Sequence, residues 1–590
     1  MRALCGPEWP SEGPPLPSPP LPLPPSSMGL RESPYASRFL GGMNTVVRGI
    51  LFPSYWLLNQ LLALQRTTAE KQAQRNKRCP PYALRALAKG LVILPALVLS
   101  VPVSLLAFLV WLPLQAVRRP FAYQHTSGQA PPEEWSFPEG HGRTFGFISS
   151  NVCLLPEGLA KFSNLGQTQW RAKHIAQGLA QATRRCSLSC EPSPRNAFGT
   201  PNGQKYGAMG SSPPRACRSP SGDDSTSVTI EMPLDDTLAE ISSRFPSGAD
   251  FVCLQEVFDL RASNSLCQLL GPYYEHILYD VGVYGLAGCS APKLFNSGLF
   301  LASRYPILAA QYHCYPNSTG EDAFAAKGLL CAQVQLGSSQ GKRIVGYLNC
   351  THMHAPEADA SVRCDQMTLA MLWAQLFQDN YAQLGDVVAF DIFCGDFNFD
   401  NCSSGDELEQ NHEIFSIYTD PCRVGPRKDK PWAIGVLTHM QEKEGGADNP
   451  FSPPVPWGHG TLLVGWDRVE SGRAPGQLLL LFSSGTLLDY QEIYNEAVST
   501  PESMKRTLEQ PEGRRKFLAG PVLANGNLDP SNTGNEGRRL DYILYREHPG
   551  PLALKTAVEK VSFITQLATC SDHLPFGLRL HVTSMAQPEV

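Results

Sequence analysis

Residues 387–394, Val387-Val388-Ala389-Phe390-Asp391-Ile392-Phe393-Cys394, form a short and almost wholly apolar run closed by Gly395-Asp396-Phe397-Asn398. A run of that length and composition reads as a strand. Residues i and i+2 at a strand end point to the same side of the sheet, so Asp396 and Asn398 are presented together. One offers an acceptor, the other both a donor and an acceptor. Alone, an Asp and an Asn after a Gly make an ordinary turn. Three other strand-like runs end in similar polar groups, however. Thr144–Asn151 ends on an amide, Ala249–Glu256 on Gln255-Glu256, and Ile344–His352 on an imidazole. Late in the chain come Arg539-Leu540-Asp541-Tyr542-Ile543-Leu544-Tyr545 and Ser571-Asp572-His573-Leu574-Pro575. Each piece has a bland reading as a capped strand end, a turn or a satisfied core histidine. The ordered series Asn, Glu, His, Asp-x-Asn, Asp…Asp-His, with every member at a strand boundary, is not accounted for that way.

In that series the chain resembles the exonuclease–endonuclease–phosphatase fold, shared by pancreatic deoxyribonuclease, abasic-site endonucleases, inositol polyphosphate 5-phosphatases and sphingomyelinases. The strings Leu254-Gln255-Glu256-Val257, Gly395-Asp396-Phe397-Asn398, Arg539-Leu540-Asp541-Tyr542 and Ser571-Asp572-His573 carry the resemblance, which covers about residues 142–585. It implies an α/β fold: a four-layer, two-sheet sandwich like deoxyribonuclease I, with its site at one end of the sheets.

The residue types themselves suit phosphodiester hydrolysis. That reaction needs charge neutralised on the phosphoryl group, a water activated and a departing alkoxide stabilised. A Glu/Asn/Asp cluster of oxygen donors fits a hard cation, Mg²⁺ or Mn²⁺, and not a thiolate- or imidazole-bound zinc. Glu256 is the expected direct ligand, with Asn151 and Asp572 close by. His573 is the expected general base, a neutral ring with its other N–H held by Asp541. Asp396 and Asn398 are expected to orient the nucleophile and the phosphoryl oxygens. His352 is expected against a phosphoryl oxygen or the leaving group, a role for which His354 is the weaker candidate.

A formal charge of −5 and a pI near 6.2 argue against a nuclease, which needs a basic face for phosphates. The 17 cysteines lack paired CxxC spacing and are too sparse for a disulfide scaffold, which favours a reducing compartment. Residues 184–232, rich in Ser, Pro, Arg and Gly, read as a flexible insertion within the catalytic domain. Three glycosylation patterns, at Asn317, Asn349 and Asn401, would stay bare on a cytosolic face.

The N-terminal part has three regimes. Residues 1–42 are Pro/Ser-rich and expected to be disordered; residues 43–120 form a membrane-associated region with uncharged segments at 49–65 and 91–117. The second segment is interrupted by Pro95, Pro102 and Pro113, and a basic stretch (Lys71, Arg75, Lys77, Arg78, Arg85, Lys89) separates the two. Basic residues at every flank place all of them in the cytosol, which suits two re-entrant or hairpin-like insertions. The basic stretch is expected to bind anionic lipid such as cardiolipin or phosphatidylserine, and Cys79 beside it is a palmitoylation candidate.

A hydrophobic double segment ending in Trp111-Leu112-Pro113-Leu114-Gln115-Ala116-Val117-Arg118-Arg119-Pro120, ahead of this catalytic domain, resembles the membrane-bound neutral sphingomyelinases. So do Asn151–Pro156, Asn296–Pro306 and Gly320–Gly328. The resemblance implies that Asp322 and Lys327 form a switching pair that rearranges the site. It also implies cleavage of sphingomyelin to ceramide and phosphocholine, with stimulation by anionic phospholipid. The short insertion and the proline-rich leader look more like the mitochondria-associated member of that group, with Met28 or Met43 as alternative starts. A mitochondrial or endoplasmic reticulum membrane is the location this implies. An inositol-polyphosphate phosphatase and a membrane-tethered nuclease are the alternatives within the superfamily.

Overall fold

The computed structural model describes residues 30–67, 70, 82–126, 134–135, 142–189, 238–285, 291–436, 499–523, 537–548 and 554–584. One sheet has eight strands. In chain order they are β1 (Ala122–His125), β2 (Arg143–Asn151), β3 (Ala239–Ser242), β4 (Ala249–Gln255), β5 (His276–Tyr279), β6 (Phe300–Ser303) and, near the C-terminus, β14 (Leu554–Ile564) and β15 (Phe576–Ser584). Their spatial order is β1-β5-β6-β4-β2-β15-β14-β3. The second sheet holds β7 (Ile307–Cys314), β8 (Gly328–Ser339), β9 (Lys342–His352), β10 (Val387–Asp396) and β13 (Asp541–Arg546), in the order β13-β10-β9-β8-β7. A small ribbon, β11 (Arg423–Gly425) with β12 (Lys428–Asp429), stands apart.

The sheets face each other through large apolar side chains. Phe145, Phe147 and Phe251 of the first meet Leu348, Phe390 and Ile392 of the second, all buried. The rings of Phe147 and Phe390 meet edge to face at 4.9 Å, a favourable geometry for aromatic pairs. Helices cover the outer faces. Among the helices α3 (Thr168–Ser189), α4 (Leu260–Leu270) and α5 (Ala360–Tyr381), the first two pack behind the eight-stranded sheet and the third behind the five-stranded one. On α5 the buried residues Arg363, Gln366, Met367, Ala370, Trp373, Ala374, Phe377 and Gln378 recur at helical spacing, one face toward the sheet. Asp259 caps α4 by accepting from the Arg261 and Ala262 amides. The result is the expected four-layer α/β sandwich.

Before it lie two antiparallel helices, α1 (Arg38–Leu62) and α2 (Tyr82–Ala116). Ser54 Oγ lies 2.6 Å from both Ser100 Oγ and Ser104 Oγ, and Gln115 donates to Asn44 and to the Tyr35 hydroxyl. Over Leu84–Ala116, α2 is long and apolar enough to cross a membrane. Its three prolines do not divide it, because each removes only one backbone donor and apolar surroundings favour keeping the remaining ladder.

Several boundaries differ from expectation. Residues 30–42, read as leader, already carry structure: Ser37 caps α1 through the Phe39 and Leu40 amides, and Tyr35 is buried. The first apolar segment is not a separate insertion. One face of α1, from Arg48 to Leu62, or about 21 Å at 1.5 Å per residue, is committed to the catalytic domain. Arg48 lies 3.7 Å from Asp280, Tyr55 donates to Asp259, and the Gly158 amide donates to Asn59 Oδ1 at 2.6 Å. Arg85 and Lys89 are exposed on the first turns of α2 and are not part of a loop; Lys71, Arg75, Lys77, Arg78 and Cys79 lie outside the described residues. Helix α3 runs through residues 184–189, and the rest of the expected insertion lies outside the described residues.

Gly395 marks how closely the strands approach at the site. Its φ of +142° is one that side chains rarely adopt, and a Cβ there would overlap the Thr351 carbonyl. Gly395→Ala should therefore lower stability by roughly 2–6 kcal/mol, strain and overpacking together. Denaturant titration of the variant reads that loss.

Candidate active site

The strand ends meet because the register makes them neighbours. In the parallel pair β9–β10, His352 stands opposite Asp396; in the antiparallel pair β10–β13, Asp396 stands opposite Asp541. Parallel pairing of β2 with β4 puts Asn151 opposite Gln255, one residue before Glu256. Contact between the two sheets is then made by side chains: Asn151 Nδ2 donates to Glu256 Oε1 at 2.8 Å and to Asp396 Oδ2 at 2.9 Å. Glu256 and Asn398 both have left-handed backbone, with φ of 60° and 54°. Such strain, of order 1–3 kcal/mol per residue, collects at functional sites.

His573 Nδ1 lies 2.6 Å from Asp541 Oδ2, and its Nε2 lies 3.8 Å from Asp396 Oδ2. Ser571 sets the loop that carries it: its hydroxyl donates to the Asn151 carbonyl at 2.7 Å and accepts from the His573 amide. His352 Nε2 lies 3.7 Å from Asp396 and 4.0 Å from Glu256. The pair expected to switch, Asp322 and Lys327, is at the same end. Lys327 Nζ donates to Asp322 Oδ2 at 2.9 Å and to the Met353 carbonyl at 3.0 Å, the same carbonyl that accepts from Asn398 Nδ2. Lys327 is 3% exposed, so this is not a solvated surface pair. His354 belongs to it: its Nδ1 is 3.3 Å from Asp322 and its Nε2 is 2.7 Å from Asp359.

Burial and charge explain the protonation of these groups. Burial raises Glu256 above the usual carboxylate range, and the Asp572 charge adds to it. Burial pushes Asp396 up to about 6; His573 opposes the shift and Asp541 reinforces it. Burial, with Lys327 nearby, holds His352 well below its ordinary value, so its ring is neutral. Burial works against a charged Asp322 and His573, yet each is outweighed: Lys327 and His354 hold the Asp322 carboxyl low, and Asp541 with Asp396 hold His573 well above the usual imidazole range. This runs against the expectation of a neutral His573: the two carboxylates favour its imidazolium form.

Two other expectations change. Asn151 faces the carboxylates with its nitrogen, while its Oδ1 accepts from the Cys153 amide at 3.0 Å. It cross-links Glu256 and Asp396 and, so placed, does not offer an oxygen to a cation. The Asn398 nitrogen is likewise engaged, by Met353, and its amide N–H donates to Asp396 Oδ1. The donor set still fits a hard cation. The carboxylates of Glu256 and Asp396 lie within 4.8 Å of each other, with His352 beside them, and both acids are raised by burial, a penalty that a divalent cation would relieve. One layer below, the sulfurs of Cys253, Cys350 and Cys394 also converge within 4.8 Å, each two residues before Gln255, His352 or Asp396. No sequence spacing announces that meeting, because it follows from register.

Comparison with known proteins agrees with this geometry. Residues 39–117 match the family described as neutral sphingomyelinase N-terminal transmembrane region, and residues 232–573 match the endonuclease/exonuclease/phosphatase family. Sphingomyelin phosphodiesterase 5 of Danio rerio is 38% identical over 94% of this chain and 99% of its own. Sphingomyelin phosphodiesterase 3 of Homo sapiens is 34% identical over 94% and 99%. The crystal structure of SmcL aligns over 75% of this chain and 99% of its own, at 13% identity and a TM-score of 0.34, a likeness that carries no argument.

The raised Asp396 has a consequence for stability. An acid whose folded pKa lies above its unfolded one destabilises the fold as pH rises between the two values, here from about 4 to about 6. Asp396→Asn removes that penalty, at most about 3 kcal/mol. In chelator, the melting temperature of the variant should exceed that of the parent near neutral pH. The difference should shrink toward pH 4.

Proposed function

The chain belongs to the endonuclease/exonuclease/phosphatase family, among its membrane-anchored sphingomyelin phosphodiesterases, and from that premise we propose that it hydrolyses sphingomyelin to ceramide and phosphocholine with Mg²⁺ or Mn²⁺. The observation that carries the reading is the meeting of Glu256, Asp396 and the Asp541–His573 pair at one end of the sandwich, in a chain anchored by its own apolar helix. The choline headgroup rests on the relatives' names, and the cation on the donor chemistry.

In the proposed mechanism Glu256, together with Asp572, whose charge acts on it, would hold the cation, and Asn151 keeps Glu256 turned toward Asp396. Bound there, a divalent cation supplies charge neutralisation on the phosphoryl oxygens and favours loss of nearby protons. Asp541 holds His573 Nδ1, so the proton exchanged with water or the leaving alkoxide is the one on Nε2, beside Asp396. Neutral His352 hydrogen-bonds a phosphoryl oxygen. Asp322 and Lys327 form the switch: Lys327 donates to the Met353 carbonyl, and its release from Asp322 frees a positive charge for the substrate.

Glu256→Ala should abolish turnover while the melting temperature stays within a few degrees, because a cation ligand contributes little to the core. Hydrolysis of sphingomyelin, phosphatidylcholine, an inositol phosphate and an abasic oligonucleotide, with Mg²⁺ and in chelator, tests the whole reading. Wild-type turnover of Glu256→Ala at limiting Mg²⁺ would overturn the ligand assignment, and preference for either of the last two substrates would overturn the function.

The catalytic domain is proposed to face the cytosol on a mitochondrial or endoplasmic reticulum membrane, as the basic flanks and the likeness to the mitochondria-associated relative suggest. Lys71, Arg75, Lys77, Arg78, Arg85 and Lys89 are proposed to bind cardiolipin or phosphatidylserine at about 1 kcal/mol each. Changing all six to Gln should reduce activity on anionic vesicles at least tenfold. Activity on detergent-solubilised sphingomyelin should change much less.

A further inference from the structure

The cation-binding segment and the anchoring helices share a wall. Directly after Glu256, the Val257 amide donates to the Gly298 carbonyl at 2.8 Å. Gly298 packs so close that a Cβ on it would come within 2.9 Å of Glu256 Cα. The residues flanking this contact, Phe258 on one side and Phe295 on the other, line a cavity of about 570 Å³. Its opposite wall is built from α1 and α2, through Leu51, Phe52, Phe108 and Trp111.

The chemistry of the cavity is one-sided. Its polar lining groups are already engaged with one another or with the fold. Arg48 reaches Asp280, Asn59 accepts from Gly158, and Asp259 caps α4 and accepts from Gln169. Asn296 accepts from Gly298, and Arg261 lies over the Phe52 ring. What remains is hydrocarbon surface. The volume lies within the roughly 300–1,000 Å³ of ligand sites. A hydrocarbon chain is the occupant that this apolar lining fits. The cavity is lined on one side by a helix apolar enough to cross a membrane and on the other by Phe258, two residues past Glu256.

We propose that this cavity is the acyl-chain subsite of the enzyme: it takes one hydrocarbon chain of the ceramide half of the substrate while the phosphodiester lies at Glu256. The assignment rests on the sphingomyelin reading above and extends it. It makes the helical hairpin part of the substrate site as well as an anchor. It also accounts for why one face of α1 is docked along the catalytic domain. A lipid drawn from the bilayer keeps its chain in an apolar wall while its headgroup crosses to the carboxylates.

The test fills the cavity from both walls, with Leu51→Trp on α1 and Leu294→Trp on the catalytic domain. The full chain is assayed in mixed micelles on long-chain sphingomyelin and on 4-nitrophenyl phosphorylcholine, which has the same headgroup and no chain. Melting temperatures report folding. In each variant the ratio of kcat/KM for the lipid to that for the chainless ester should fall roughly ten- to a hundredfold, the worth of two or three buried methylenes. A sphingomyelin bearing a diazirine on its acyl or its sphingoid chain should label the segments 51–58 or 294–296. An unchanged ratio in both well-folded variants, labelling confined to other segments, or labelling there by a diacyl phospholipid but not by sphingomyelin would overturn the subsite. If the unaltered protein hydrolyses no sphingomyelin of any chain length while cleaving another phosphodiester, the underlying function has failed instead.

Discussion

Asp396 sits at the closed end of two sheets, out of water and beside other acids, and the site is organised around meeting its charge. A buried carboxylate needs partners or loses its ionisation. Asn151 donates to Oδ2, the Asn398 amide donates to Oδ1, and the His573 imidazolium stands 3.8 Å away. Each partner is a catalytic or positioning group in its own right, so satisfying Asp396 also fixes the others. The same need explains the left-handed backbone at Asn398, which turns its N–H back toward the carboxylate.

The joint between membrane hairpin and catalytic domain follows similar electrostatics. Arg118, just past α2, lies 2.7 Å from Asp280 and donates to the Asp280 and Gly282 carbonyls, while Arg48 of α1 approaches the same carboxylate. Burial works against the Asp280 charge, but the two guanidinium groups outweigh it and hold the carboxyl below its usual range. Tyr284 and Asn296 also meet Asp280, and Asn296 accepts from the Gly298 amide that lies against Glu256. Anchor and metal-binding segment are thus connected through packed, hydrogen-bonded groups. Breaking a buried pair of this kind by removing one partner typically costs about 3–5 kcal/mol, so the hairpin stays docked under ordinary conditions.

Much of this was legible in the chain itself. The apolar runs at 144–151, 249–256, 344–352 and 387–396 are strands, and each carries its functional group at the end where the run stops. The helical spacing of α5 and the long uncharged stretch of α2 are equally plain. Less legible was the role of individual donors. Asn151 read as a group beside the cation and Asn398 as one facing the substrate, yet each nitrogen is taken by a neighbour whose approach depends on backbone that is distant in sequence. His354 read as the weaker partner of His352, whereas packing places it on Asp322.

What the sequence alone determined is therefore the set of elements, the face each one buries and the polar residues at their ends, because periodicity and composition act over a few neighbouring residues. Tertiary structure decided which ends meet. The register of β9, β10 and β13 aligned His352, Asp396 and Asp541; the approach of the two sheets brought Asn151 across; and docking of α1 supplied one wall of the apolar cavity. Protonation was decided at the same level, since His573 is an imidazolium only where Asp541 and Asp396 converge on it. Register, sheet separation and local field all arise from contacts between residues far apart in the chain, and no local pattern encodes them.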